Sequence, residues 1–109
     1  MTKYRTKIYF LEDSFDYNGS NLNSSIIAGS EKTLINITSE LAKDSNYEIK
    51  VFNNTSKPIK KENVTWENID QIDIKTKPDF VICMSDANLF KKLNCQKNYL
   101  WSHSVQSLE

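Results

Sequence analysis

KIYFL, residues Lys7–Leu11, is a compact run of β-branched and aromatic residues that stops abruptly at the polar stretch Glu12–Ser14. A short apolar run with polar residues on both sides is typical of a strand buried in a sheet. The run Phe80–Met84 (FVICM) has the same character and follows the polar stretch Lys77–Asp79. The sequence therefore predicts two buried strands, and the elements around them decide the fold class.

A helix is predicted between these strands. Leu34, Ile37 and Leu41 recur at steps of three and four residues, which is one apolar stripe of a helix. Ser30 is the predicted N-cap, and the helix is expected to end near Asp44. Further strands are predicted at 48–52, 64–69 and 98–101, and a second, short helix at 87–93.

This order of strands and helices predicts an α/β fold, a Rossmann-like and mainly parallel sheet with flanking helices and with the first strand near its centre. A length of 109 residues suits a single domain spanning 1–109. In such sheets ligands bind beyond the carboxyl ends of the strands. Those ends are predicted to carry Glu12–Ser14, Ser85–Asp86 and Ser102–His103.

The composition argues against several classes of protein. Lysine and arginine together number 14 and so do the acidic residues, so the formal net charge is zero and no nucleic-acid partner is expected. The lysines within Lys57–Lys61 are interpreted as part of a solvated loop. Cys83 and Cys95 form no C-x-x-C pair, so neither a structural zinc site nor a disulfide framework is expected, and Cys83 is predicted to be a buried thiol.

The apolar run near the amino terminus is too short for a signal peptide or a membrane span, and together with the cysteine usage this favours a cytoplasmic location. The aromatic Trp101, in the last predicted strand, is expected to pack in the core.

The segment Gly29-Ser30-Glu31 at the predicted helix start is a candidate binding site. Glycine allows close approach of a ligand to the backbone, and the free N–H groups and dipole of a helix start favour an anion. An ordinary helix cap would use the same residues. The chain has only two glycines, Gly19 and Gly29, so the G-x-G-x-x-G fingerprint and the P-loop are absent.

His103 is the only histidine, and its place after the last strand suits a general base or a hydrogen-bond donor to a substrate; a structural role is the alternative. Ser85 and Asp86 follow the strongest predicted strand. They could bind substrate hydroxyls or cap the next helix.

An ordered set of motifs runs along the chain: Ala28–Glu31, Leu41-Ala42, Tyr47–Phe52, Val64–Trp66, Asp79–Ile82 and Leu100–His103. This set resembles the N-terminal domain of retaining family-4 glycosyltransferases of the GT-B fold, and the resemblance covers nearly the whole chain. The family usually has a Gly-Gly-x-Glu turn, where Ala28 here replaces the first glycine. Ser104 stands where relatives often carry aspartate.

The resemblance implies that the chain is the acceptor-side half of an enzyme that transfers a sugar from a nucleotide-sugar donor to the hydroxyl of a sugar or lipid-linked acceptor. The family's C-terminal domain makes most donor contacts and is expected to lie outside 1–109, so the half alone would be inactive. No cofactor and no metal are implied, and peripheral membrane contact of the full-length protein would be compatible. His103 would be the catalytic residue. The substrate-binding residues would be Ala28, Gly29, Ser30, Glu31, Ser85, Asp86 and Ser102.

Two alternatives remain open from the sequence. A signalling receiver domain would explain Glu12-Asp13 after the first strand, but Met84 stands near the expected position of its phosphoacceptor aspartate. A non-catalytic binding module with a Rossmann-like shape would share the fold without the activity.

Overall fold

A computed structural model describes residues 5–13, 16–21, 29–73, 75, 77–84, 89 and 97–101. The described part contains one α-helix, six strands and two short 3₁₀ turns, at Gly19–Asn21 and Ile69–Gln71. In chain order the α-helix and strands are β1 (Thr6–Leu11), α1 (Gly29–Leu41), β2 (Tyr47–Asn53), β3 (Ile59–Lys61), β4 (Val64–Asn68), β5 (Phe80–Met84) and β6 (Asn98–Trp101).

The six strands form one sheet in the order β3-β4-β2-β1-β5-β6. All neighbouring strands are parallel except the hairpin of β3 and β4. When only the five parallel strands are numbered in chain order, their order in the sheet is 3-2-1-4-5. This order matches the first five strands of the Rossmann fold and differs from the 2-1-3-4-5 order of flavodoxin-like sheets. The predicted mainly parallel sheet, with the first strand inside it, is confirmed.

Three details of the sequence prediction are corrected, and a fourth lies outside the described residues. The helix begins at Gly29, so Ser30 lies in its first turn and is not its N-cap. Ile69 begins a 3₁₀ turn instead of ending a strand. Residues Ile59–Lys61 form an edge strand where a solvated loop was predicted, although both of its lysines are exposed. The predicted helix at 87–93 lies outside the described residues except for Leu89.

The larger core cluster lies between the sheet and α1, and the stripe that α1 buries differs from the predicted one. Leu34 and Ile35 are buried, whereas Ile37 is 37% exposed. Thr38 is fully buried instead, because its hydroxyl donates a hydrogen bond to the carbonyl of Leu34 at 2.8 Å and so needs no water. The sheet residues of this cluster are Phe10, Ile49, Val51, Val64, Trp66 and Met84.

The opposite face of the sheet carries a second cluster, made of Tyr9, Leu11, Phe52, Ile69, Val81, Cys83 and Leu89. Neighbouring residues of β1 alternate between the two clusters, as the two-residue period of a strand requires. Cys83 is buried, as predicted. Trp101 is half-buried and packs against the first cluster, so its predicted core position is confirmed only in part.

Residues 16–21 cover the α1 side of β4. Tyr17 is 1% exposed, and its ring meets the indole of Trp66 edge to face with centroids 5.8 Å apart. Gly19 lies so close to the same indole that a Cβ there would be 2.6 Å from Nε1 of Trp66. The polar stretch after β1 therefore contributes part of the core.

The two glycines provide a matched test of this packing. Gly19→Ala is expected to lower the free energy of unfolding by about 1–3 kcal/mol, because the new methyl group must displace a buried indole. Gly29→Ala places its methyl group where no atom lies within 4 Å, and it should leave stability unchanged or slightly higher. Urea denaturation of both variants measures the difference, and equal midpoints would contradict the close contact at Gly19.

Candidate functional site

The strand order reverses at β1. β1 pairs with β2 on one side and with β5 on the other, and the chain crosses between these sides after β4. Such a reversal leaves a crevice at the carboxyl ends of the two central strands, where ligands of open α/β sheets bind. β1 ends at Leu11 and β5 ends at Met84, so the candidate site lies beyond these two residues.

Two carboxylates directly follow β1 at this edge. Glu12 is 8% exposed, and its backbone N–H donates to the carbonyl of Phe52 at 3.0 Å, which extends the pairing of β1 with β2. Asp13 is exposed and accepts a hydrogen bond of 2.7 Å from the side-chain amide of Asn54. The backbone of the site is therefore anchored to the loop that follows β2.

Tyr17 connects the end of β1 to the start of α1. Burial raises the pKa of its phenol, and the nearby carboxylates of Glu12 and Glu31 raise it further. Glu12 and Glu31 therefore both lie near the same hydroxyl, although they are 19 residues apart in the sequence. The side-chain amide of Asn53 donates to the Tyr17 carbonyl at 2.9 Å and holds the backbone of this segment.

The start of α1 forms the other wall of the site. Gly29 is exposed, and the position of an added Cβ is open, so its backbone is accessible to a ligand. Glu31 lies in the first turn of the helix and is half-buried. The first N–H groups of a helix have no partners within the helix and suit an anion, whereas carboxylates accept hydrogen bonds from hydroxyl groups. The site can therefore offer donors and acceptors to one ligand.

A buried network of hydrogen bonds holds the backbone beside the site, and the sequence did not predict it. Asn18, Asn53 and Thr55 are all buried. The amide of Asn18 donates to the Thr55 hydroxyl at 3.2 Å and to the Lys57 carbonyl at 3.0 Å, and the Asn53 side chain accepts from the Thr55 N–H. Asn68, at the end of β4, donates to the Thr55 carbonyl at 2.9 Å. These bonds tie the ends of β2 and β4 to residues 16–21.

The predicted site residues divide into two groups. Gly29 and Glu31 are described, and they lie at the start of α1; for Ser30 the backbone position in the first turn of the same helix is described. Ala28, Ser85, Asp86, Ser102 and His103 lie outside the described residues. Sequence reasoning missed Tyr17 as a component of the site, since its burial depends on Trp66, 49 positions away.

Within the part of the chain that the structure describes, no group of three or more histidine, cysteine, aspartate or glutamate side chains could hold a metal ion. No helix among the same residues is long and apolar enough to cross a membrane.

The raised pKa of a second buried tyrosine, Tyr9, predicts how the free energy of unfolding depends on pH. Burial, and then the carboxylates of Glu48 and Glu67, raise the pKa of Tyr9 from 10.0 to about 12. Above pH 10 the unfolded chain loses this proton before the folded protein does, so stability should fall as the pH rises from 10 towards 12. Tyr17 adds to the fall, because its pKa is raised as well.

Urea unfolding between pH 9 and pH 12 measures this slope. Tyr9→Phe should reduce it, whereas Tyr99→Phe, which alters an exposed tyrosine, is the matched control and should not. A slope unchanged by Tyr9→Phe would contradict the assignment.

A comparison of the chain with models of known protein families, with curated proteins and with solved structures finds no match in any of the three. The basis for a function is therefore the motif order of the sequence together with the geometry of the site.

Proposed function

We propose that this chain is the N-terminal, acceptor-side domain of a retaining glycosyltransferase with the GT-B fold. The complete enzyme would transfer a hexosyl group from a nucleotide sugar to the hydroxyl of a sugar or lipid-linked acceptor. Two lines of support meet in this proposal. The motifs from Ala28 to His103 follow the order of that family, and the parallel strands have the Rossmann order that a GT-B half requires.

The observation that carries the proposal is the position of Gly29. The motif glycine is the first residue of α1, the helix that connects β1 to β2, and its backbone is open to a ligand. The same helix ends at Leu41, within the motif Leu41-Ala42, and β2 contains the next motif, Tyr47–Phe52. A phosphate that approaches the start of α1 would meet free N–H groups and the positive end of the helix dipole.

In this proposal several residues at the carboxyl edge contact the two substrates. Gly29 and Ser30 provide backbone N–H groups towards the donor phosphates, and the side chains of Glu12 and Glu31 accept hydrogen bonds from sugar hydroxyls. Ala28, Ser85, Asp86 and Ser102 complete the substrate contacts. His103 assists the transfer, in which the acceptor oxygen bonds to the anomeric carbon, the nucleoside diphosphate leaves and the acceptor hydroxyl loses its proton.

The receiver alternative is less well supported. A receiver domain has the 2-1-3-4-5 order of parallel strands, whereas the order here is 3-2-1-4-5. In addition, β5 ends at Met84, so the strand beside β1 carries no aspartate at its carboxyl end. A non-catalytic binding module with the same fold is the competing function, and an activity measurement distinguishes it from the proposed glycosyltransferase.

The proposal predicts that the 109-residue chain alone transfers no sugar. Catalysis requires both reactants to be held in one oriented site, and the proposal assigns most donor contacts to a second domain. Incubation of the purified chain with a panel of nucleotide sugars and acceptors, with release of free nucleoside diphosphate as the readout, measures this. Turnover above the protein-free background would refute the division into two halves. The full-length protein under the same conditions is the positive arm, and its inactivity towards every donor would favour the non-catalytic module.

A further inference from the structure

A cavity lies at the opposite edge of the sheet from the candidate site, between the end of α1, the start of β2 and the hairpin of β3 and β4. Its volume is about 440 Å³. Ligand pockets commonly fall within roughly 300–1,000 Å³. The polar residues that matter here are Arg5, Lys43, Ser45, Glu48, Lys60 and Asn63. We name this cavity, defined by those six residues, the amino-edge pocket.

The charges around the amino-edge pocket favour an anion. Arg5, Lys43 and Lys60 contribute three positive charges, Glu48 contributes one negative charge and Glu40 pairs with Lys43, which leaves a net charge of one positive. The Glu48 carboxylate lies near the hydroxyl of Tyr9, a buried residue of β1, and helps to raise its pKa. Lys43 forms an ion pair with Glu40, whereas Lys60 forms none within the described part of the chain.

Arg5 is held in place before any ligand arrives. Its Nε donates to the carbonyl of Ser45 at 3.1 Å, and its Nη2 donates to the carbonyl of Tyr47. A guanidinium has five N–H groups in a fixed planar fork, so two bonds to the backbone leave others for an oxyanion. A cation that is already ordered loses little conformational freedom on binding.

The β3–β4 hairpin places the remaining donors. Lys60 pairs across the two strands with Thr65, and both side chains line the pocket. The turn between the strands contains Glu62 and Asn63, whose φ angles of 53° and 64° lie in the left-handed region. Such a two-residue turn joins antiparallel strands tightly, and it fixes Asn63 at the rim of the pocket.

We propose that the amino-edge pocket binds a small phosphomonoester, a phosphate group carried on a polyol. The Arg5 fork matches the oxygens of a phosphate, and the Lys60 ammonium adds a second cation beside them. The hydroxyls of Ser45 and Thr65 and the amide of Asn63 can bond to the polyol. This site lies at the opposite edge of the sheet from Gly29, so its test does not depend on the glycosyltransferase proposal.

The test is an NMR titration of the 109-residue chain with glycerol 1-phosphate and with inorganic phosphate, and with glycerol as the uncharged control. We expect saturable shifts of the backbone amides of Ser45, Lys60 and Asn63 with both phosphates and none with glycerol. Lys60→Gln should weaken binding about fivefold through the loss of one exposed charge. Lys61→Gln removes the same charge from the next position of β3, outside the pocket lining, and it should leave the affinity within about twofold.

Thermal unfolding of both variants checks that the fold is intact. Shifts that do not saturate, or an equal loss of affinity in the two lysine variants, would overturn the proposal, because diffuse attraction between charges would then explain the binding. Vesicles of phosphatidic acid in phosphatidylcholine distinguish the source of the phosphate. If the wild-type chain and Lys61→Gln sediment with the vesicles and Lys60→Gln does not, the pocket binds a lipid headgroup. If glycerol 1-phosphate saturates the pocket and no chain sediments, the ligand is soluble.

Discussion

Trp66→Ala is expected to remove a large part of the stability of this protein. Trp66 is the largest fully buried side chain described, at 1% exposure, and Tyr17 and Gly19 pack directly against its indole. Truncation of a buried tryptophan costs about 3–5 kcal/mol, because the lost burial and the remaining cavity both count. Domains have roughly 5–15 kcal/mol of stability in total, so the thermal midpoint of the variant should lie well below that of the wild type.

Circular dichroism during urea and thermal unfolding measures this effect. Trp101→Ala is the matched control, since the only other tryptophan of the chain is half-buried in an edge strand and should cost much less. Trp66→Phe should recover part of the loss by keeping an aromatic ring beside Tyr17. A midpoint of Trp66→Ala equal to that of Trp101→Ala would contradict the packing of residues 16–21 on β4.

Under the proposed function, His103→Ala in the complete enzyme has the second large expected effect, a fall in turnover of about 10² or more. The residue follows the end of β6 by two positions, and β6 is parallel to β5, so the chain leaves the sheet at the edge where Glu12 lies. A group that takes up a proton or supports developing charge there affects the transition state more than the folded state.

Turnover and thermal midpoint are measured on the same His103→Ala sample. A lower midpoint with full turnover per folded molecule would assign His103 a structural role and would leave Gly29–Glu31 as the remaining site. Loss of turnover at an unchanged midpoint would support the catalytic role.

The sheet was predictable from the sequence because its strands are short apolar runs with clear polar boundaries. The predicted run Lys7–Leu11 became β1 with one additional residue, and Phe80–Met84 was predicted without error. The edge strand Ile59–Lys61 was missed, since it has three residues, two of them exposed lysines, and is defined by its pairing with β4 and not by a pattern of its own.

The interior of the site was less predictable. Asn53 is fully buried at the end of β2, where an asparagine in a sequence usually indicates a turn. Its burial depends on the carbonyl of Tyr17, 36 positions earlier in the chain. Ile37 and Thr38 show the same limit on α1, where the threonine is buried and the isoleucine is 37% exposed. Contacts between distant segments leave no periodic signal in the sequence.

The most direct measurement of the central claim is the rate of nucleotide-sugar-dependent transfer by the full-length protein with Gly29→Val and with Asn36→Val. Both changes place a β-branched residue at an exposed position of α1, the first at its open start and the second about two turns later. We predict transfer with retained anomeric configuration by the wild type, near-normal transfer by Asn36→Val, and a loss of roughly tenfold or more by Gly29→Val, since its side chain would keep a phosphate from the backbone. Equal transfer by the two folded variants, or no transfer by the wild type with any donor, would contradict the assignment of this domain.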